Sequence, residues 1–430
     1  MKIAFLLAAA LLATPATAAL TPAERKMVAA VDAGQDQSIA LLERLVNQNS
    51  GTMNLDGVAK VGAMMKAELD ALGFTTVWKP MAETKRAGHL IAIRDGRKGA
   101  NRLLLIGHLD TVFEPDSPFQ RFVRKGDKAE GPGAGDDKGG MVVMLAALKA
   151  MKTAGTLDAA TFEIHLTGDE ERTGDPTEIA GADLIAAGKR ADAALDFEGL
   201  FVENGRDMGS IARRSSNSWV LRTTGKSGHS SLIFNSVYGD GAINELARIV
   251  AAFRTELPEP NLTFNVGLVA GGAEAALDAD QVRATATGKP NIIPASAVAR
   301  GDFRTLSDEQ TARVKAKMQA IVAKHAPGTS AEIVFDEGYP PMAPTPGNRV
   351  LLAKLNGVNA DLGLPAMPEL DPLKRGAGDI AFVAKDVDGL VGLGPWSTGD
   401  HAPGETVDLP SIASQAKRAA ILMTRLGGGK

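Results

Sequence analysis

The stretch Leu103-Leu104-Leu105-Ile106-Gly107-His108-Leu109-Asp110-Thr111 decides how this chain is read. The run of large aliphatic residues predicts an apolar strand. The run delivers His108 and Asp110. At the two-residue period of a strand these side chains share a face. A carboxylate beside an imidazole fixes its tautomer and raises its basicity, which is how metal-binding histidines are supported. Alone, the pair reads equally well as a loop histidine beside an incidental aspartate.

Working outward, the pattern repeats. Thr161–Leu166 predicts a second strand, followed by Thr167-Gly168-Asp169-Glu170-Glu171, and Ala193–Phe197 a third, followed by Glu198-Gly199. Between and before them, helical spacing covers 21–48 (Ile39, Leu41, Leu42, Leu45), about Val58–Leu72 with Gly73 as its stop, and about Gly140–Met151. Alternating strands and helices predict an α/β layer, and in open sheets of this kind ligands bind beyond the carboxyl ends of the strands. Three acidic or histidine-bearing segments sit at that end.

After about residue 212 the order becomes strand (Trp219–Thr223), helix (240–255), strands at 262–270 and 296–304, helix (308–324) and strand (Ala331–Phe335). That β-α-β-β-α-β order is the split arrangement of a small two-layer domain. The Gly338-Tyr339-Pro340-Pro341-Met342-Ala343-Pro344 segment reads as a return linker. The expected organisation is a discontinuous main domain, 20–212 and 339–430, interrupted by an inserted domain at 213–338.

Composition narrows the chemistry. The 430 residues include six histidines and no cysteine, so disulfides, thiolate metal sites and cysteine nucleophiles are excluded. Any metal must be held by His, Asp and Glu. With 47 Lys+Arg against 51 Asp+Glu, nothing suggests a nucleic-acid partner. The opening Met1-Lys2, the apolar run Ile3–Leu12, Pro15 and Ala16-Thr17-Ala18 read as a secretory signal peptide spanning 1–18. The apolar run is shorter than the roughly 20 residues a membrane span needs. The expectation is an exported, periplasmic protein with no membrane partner.

Two further segments complete the inventory. In Gly131-Pro132-Gly133-Ala134-Gly135-Asp136-Asp137-Lys138-Gly139-Gly140, Asp137 precedes the lysine and Gly139 follows it, which is wrong for a Walker loop. The third glycine arrives one residue early for a dinucleotide fingerprint, and two carboxylates would repel a pyrophosphate. A divalent cation suits the pair better, although an acidic first helical turn is the plainer reading. Gly399-Asp400-His401-Ala402-Pro403-Gly404-Glu405 adds a late histidine. Together these segments supply two histidines and at least three carboxylates at strand ends. That is the inventory for two divalent ions bridged by a carboxylate, with a free glutamate to deprotonate a shared water.

In order and spacing, Gly107–Val112, Gly131–Gly140, Asp169–Glu171, Phe197-Glu198 and His401 with Glu405 resemble the motifs of the M20 metallopeptidase family, above all its glutamate carboxypeptidase branch. The resemblance covers nearly the whole chain after residue 18 and is looser before about residue 85. It implies a zinc-exopeptidase-like α/β catalytic domain, a mixed sheet flanked by helices, with an inserted α+β ferredoxin-like lid and dimerisation domain. It implies that His108 and Glu198 complete one zinc site, Glu171 and His401 the other, and that Asp136 bridges two Zn2+ per subunit; oxygen and nitrogen donors also admit Mn2+ or Co2+. Glu170 becomes the general base and acid, and Asp110 orients His108. Gly225-Lys226-Ser227-Gly228-His229-Ser230 matches the segment whose histidine reaches the neighbouring subunit's site and stabilises the oxyanion, which implies a homodimer. Asn291 and Arg304 fall where the family contacts a substrate's terminal carboxylate, and Arg375-Gly376 lies in its substrate-binding loop.

The implied activity is removal of a C-terminal amino acid, glutamate among the candidates, from small peptidyl or N-acyl substrates. An N-acyl amino acid deacylase or dipeptidase on the same residues is the alternative, and a catalytically silent ligand-binding relative is an alternative of another class. Two departures concern substrate preference and leave the metal positions intact. Gly378 stands where many relatives have threonine before Asp379. Met208, with Arg213 and Arg214 nearby, stands where some glutamate-specific members have lysine.

Overall fold

The computed structural model describes residues 20–428; the expected signal peptide at 1–18 lies outside the described residues. Its larger sheet has six strands in the order Thr75–Pro80, Gly88–Arg94, Thr161–Thr167, Arg102–His108, Ala193–Asp196, Gly389–Leu390. Arg102–His108 runs parallel to both neighbours, and Gly389–Leu390 runs parallel to Ala193–Asp196. The first two strands are antiparallel, which makes the sheet mixed.

The aliphatic run behaves as its period requires. Leu103 and Leu105 pack into the larger core, with helices Pro22–Asn47, Lys138–Ala154 and Leu409–Gly427. Leu104 and Ile106 point the other way, into a smaller core with Leu184, Ile380, Phe382 and Val383. Both faces of the strand are therefore dry. Register then fixes the site: His108 is paired with Thr167, and Ile106 with Asp196. The residues following these three strands emerge together at one edge.

The helices begin and end where local chemistry dictates. Pro22–Asn47 opens on a capping box between Thr21 and Glu24, with proline in the first turn. Leu55–Ala71 gives way at Gly73, whose φ of +87° is left-handed. Thr75–Pro80 and Gly88–Arg94 were not anticipated from sequence, nor were helices Pro346–Asp361 and Leu409–Gly427 located there.

The second sheet is entirely antiparallel, in the order Thr263–Gly272, Ser296–Arg304, Asn217–Gly225, Thr329–Asp336, with helices Ala242–Glu256 and Asp308–Val322. It has its own core around Trp219, Leu221, Phe253 and Phe303. This is the ferredoxin-like arrangement, with an added ribbon of Glu274–Leu277 and Ala284–Thr287. Where the chain leaves and re-enters the larger layer, the two connecting segments pair: Arg213 and Met342 exchange backbone hydrogen bonds of 3.0 and 2.9 Å.

Candidate metal centre

His108 closes its strand with its ring buried. Its Nε2 lies 3.0 Å from Asp136 Oδ1, and its Nδ1 lies 3.4 Å from Asp110 Oδ1. The other oxygen of Asp136, Oδ2, is 3.0 Å from His401 Nε2, which is also 3.1 Å from Glu171 Oε2. The ligand atoms of His108, Glu170 and Glu171 converge within 4.8 Å of one another, and so do those of Asp136, Glu171 and His401. His401 reaches the cluster from a glycine-rich loop with a φ of +64°, left-handed for a residue that carries a Cβ.

Buried carboxylates hold this cluster from behind. Asp110 is fully buried and accepts hydrogen bonds from Thr52 Oγ1 at 2.6 Å and from the backbone N–H groups of Glu170 and Glu171 at 3.1 and 3.2 Å. One side chain thus orients His108 and pins the adjacent glutamate pair. Glu405 accepts three backbone N–H groups, from Gly133 at 3.1 Å, Gly135 at 2.7 Å and Asp136 at 3.1 Å. It shapes the glycine-rich loop that presents Asp136. Asp137 accepts from the His108 N–H at 3.2 Å. Tyr339 Oη donates to the Glu170 carbonyl at 2.8 Å and accepts from Thr173, while Thr167 donates to Asp379 nearby.

Sequence reasoning gave no role to Thr52 and placed Asp379 only in the substrate-binding loop. It also took Tyr339 for linker and placed Glu405 in a motif without a task. Their signal lies in contacts made across the chain, which no local pattern carries.

Protonation follows the crowding. Burial pushes Glu170 well above the ordinary carboxylate range, and burial also raises Glu171 against the opposing pull of His401. Burial acts the same way on Asp136, but His108 and His401 outweigh it and hold that carboxyl well down. Hydrogen bonds to Asp136 and Glu171 raise His401 to about 11. The cluster therefore draws protons onto its histidines and its glutamates, which marks a deficit of positive charge. A divalent cation relieves that deficit, and a set of imidazole nitrogens and carboxylate oxygens without thiols suits zinc, manganese or cobalt. The residues fit such a group.

The other expected residues are placed differently. Glu198 joins neither converging group; its carboxylate is held by Arg213, with Asp196 Oδ2 3.7 Å from the same Nη1. Glu198 and Asp136 nevertheless line one cavity of about 320 Å³ with Gly199, Arg375, Trp396 and Asp400. Arg375 donates from Nη2 to the Gly199 carbonyl at 2.8 Å, while its buried Nε has no partner among the described residues. Gly376 gives its carbonyl to Arg213 Nε at 2.8 Å, and an added Cβ there would lie 3.8 Å from Arg304 Nη1. His229 and Asn291 meet elsewhere, at a junction where His229 bridges Ile292 and the Ser230 N–H donates to the Asn291 carbonyl. Among the described residues, neither shares a hydrogen bond or ion pair with the metal-ligand cluster.

The model of peptidase family M20/M25/M40 matches residues 104–425, which span all of these segments. The chain belongs to this family. It is accordingly a metallo-exopeptidase of M20 type. Carboxypeptidase G2 of a Pseudomonas species is 29% identical over 98% of this chain and 98% of its own length. A succinyl-diaminopimelate desuccinylase of Variovorax paradoxus is 27% identical, covering 87% of this chain and 94% of its own length. Among solved structures, a tripeptidase from Staphylococcus aureus superposes with a TM-score of 0.73 at 18% identity, over 91% of this chain and 98% of its own. The M20 metallo-carboxypeptidase from Sulfolobus solfataricus gives 0.66 at 17% identity, over 90% and 99%. The M20 family fold, a mixed α/β sheet flanked by helices with a dimerisation-type second domain, is thereby the fold of this chain.

Proposed function

We propose that this M20 metallohydrolase removes the C-terminal amino acid from small peptidyl or N-acyl substrates, using two zinc ions per subunit. The observation that carries the reading is Asp136 set between His108 and His401, with Glu171 common to the two converging groups and Glu170 in that of His108. His108, Asp136 and Glu198 would hold one ion, and Asp136, Glu171 and His401 the other. Ions held there supply Lewis acidity and lower the pKa of water into the neutral range. Glu170 takes the proton of the attacking water and returns it to the leaving amine. Its carboxylate converges with His108 and Glu171, which puts it where that proton would move. Asp110 and Tyr339 fix the backbone of Glu170 while it does so.

Substrate recognition falls to Arg375, which lines the same cavity as Asp136. A guanidinium fork matches a carboxylate. Arg304, near Gly376, and Asn291 would meet the terminal carboxylate. The inserted domain, at 213–338, would mediate a homodimer in which His229 serves the neighbouring subunit's oxyanion. The leader-like residues 1–18 support export to the periplasm.

Similarity to the desuccinylase favours a second reading on the same residues, an N-acyl amino acid deacylase. A hydrolysis panel of folates, N-acyl amino acids and dipeptides, run with and without chelator, separates the two. Release of terminal glutamate or another terminal residue from folates or peptides supports the first; cleavage confined to simple N-acyl amino acids, with folates and peptides untouched, narrows the activity to the second. A protein carrying its metal that cleaves nothing in the panel would overturn both.

A further inference from the structure

Glu198 is held by a cation that belongs to the protein. Arg213 sits at the crossing between the two layers, only 5% exposed, with its backbone paired to Met342. Its Nε donates to the Gly376 carbonyl at 2.8 Å, and its Nη1 meets Glu198, with Asp196 at 3.7 Å. These contacts on the backbone, the Nε and the Nη1 leave the guanidinium little freedom, and a guanidinium does not give up its charge.

The loop opposite is cut to fit. A Cβ on Gly378 would lie 2.2 Å from Arg213 Nη1 and 2.5 Å from Glu198 Oε1, between the two charged groups. The φ of Gly378 is 176°, extended backbone that any residue adopts. Space, not conformation, requires glycine here. A side chain at 378 and the Arg213–Glu198 pair exclude one another.

We infer that Arg213 makes the two metal sites unequal: the Asp136–Glu171–His401 site binds a divalent cation tightly, while the site that needs Glu198 competes with a built-in guanidinium and binds its cation more weakly. The argument is electrostatic. Breaking a buried ion pair is costly, so an ion arriving at Glu198 must either displace Arg213 or accept a ligand whose charge is already shared. Among the described residues the carboxylates of Asp136 and Glu171 pair only with imidazoles, and an imidazole can give up its proton to an arriving ion where a guanidinium cannot. The inference rests on the ligand set proposed above.

The test is a calorimetric titration of chelator-stripped full-length protein with Zn2+ and, separately, Co2+, with bound ions counted by native mass spectrometry. Wild-type protein is expected to take one ion tightly and a second at least about tenfold more weakly, a factor that about 1.4 kcal/mol produces. Arg213→Met should tighten the weaker site by about tenfold or more, and bound metal should raise its melting temperature by more than that of wild type. Because Arg213→Met leaves Asp196 and Glu198 unpaired and could compromise folding, Gly378→Ala serves as the second variant. It keeps every charge and wedges a methyl between Arg213 and Glu198, with the same expected gain. Two equally tight sites in wild type would overturn the inference, as would unequal sites that Gly378→Ala leaves unchanged. Protein that takes up no divalent ion would overturn the ligand set itself, which is a distinguishable result.

Discussion

Asp136 gives one carboxylate oxygen to each of two histidines, Oδ1 at 3.0 Å from His108 Nε2 and Oδ2 at 3.0 Å from His401 Nε2. The histidines come from distant parts of the chain, one at a strand end and the other on a late loop. A single carboxylate therefore joins the two halves of the centre. Asp136→Asn keeps the shape and removes the charge. Metal affinity is expected to fall by more than the roughly 10–100-fold that loss of a supporting partner costs. Elemental analysis after dialysis measures it, and full metal content in the variant would rule out the bridging role.

Glu170 stands beside the proposed ligands with its backbone pinned by Asp110 and Tyr339. As the proton carrier it should be dispensable for metal binding. Glu170→Ala is expected to retain its metal while turnover drops by about 10²–10⁴-fold. Unchanged turnover at full metal occupancy would sink the assignment.

Among the described residues Glu405 makes no hydrogen bond or ion pair to a proposed ligand side chain, yet it accepts the N–H groups of Gly133, Gly135 and Asp136. Glu405→Gln leaves one accepting oxygen where two are used, so the N–H of Gly133 or those of Gly135 and Asp136 would face an amide donor. Metal affinity should weaken by about 10–100-fold, read by competition against a chelator of known affinity. A purely structural role would instead lower the melting temperature of metal-free and metal-bound protein alike and leave the competition unchanged.

His229 is exposed and lies away from the cluster within its own chain. If it serves the neighbouring subunit, His229→Ala and Glu170→Ala should each be nearly inactive alone. Mixed dimers of the two variants would then contain one site with both residues intact. Recovery of activity on mixing is the expected result, and no recovery in mixed dimers verified by mass spectrometry argues against the shared site.

Away from the centre, Glu163 has its own network with His165 at 3.1 Å and with Arg190 and Arg102. Burial pushes its carboxyl up, but His165 and Arg190 outweigh it and bring the pKa down to about 2. A folded-state pKa below the unfolded value means the stabilisation is present above about pH 4.5 and is lost as pH falls toward 2. Glu163→Gln should therefore lower the melting temperature at neutral pH, with the gap to wild type closing over that acid window. A gap that persists unchanged at pH 2 would contradict the account.

What the sequence made legible was whatever is local. Leu103–Ile106 reads as an apolar strand, and the polar residues after it, after Thr161–Thr167 and after Ala193–Asp196 follow from the same reading. Ser296–Arg304 was bounded as observed. The edge strand Thr75–Pro80 was not legible, because it is largely exposed and carries Lys79 and Pro80 in place of an apolar run. Glu198 was expected among the ligands from its place in a motif. Its hold on Arg213 depends on how the connecting segments cross, and on the absence of a side chain at 378, neither of which is written near residue 198. Tyr339 escaped for a similar reason, since a proline-rich segment gives no sign that its one aromatic hydroxyl reaches the Glu170 carbonyl.

The pairing of His108 with Thr167 and of Ile106 with Asp196 has a consequence for how such a chain tolerates change in length. Loops at the far edge of the sheet, such as the one between Arg94 and Arg102, can gain residues without moving a ligand. Deleting one residue within Arg102–His108 is another matter. It would turn His108 toward the opposite face while leaving much of the aliphatic run buried. Such a protein could still fold and would have lost its chemistry, so insertions and deletions should be spread very unevenly along the chain.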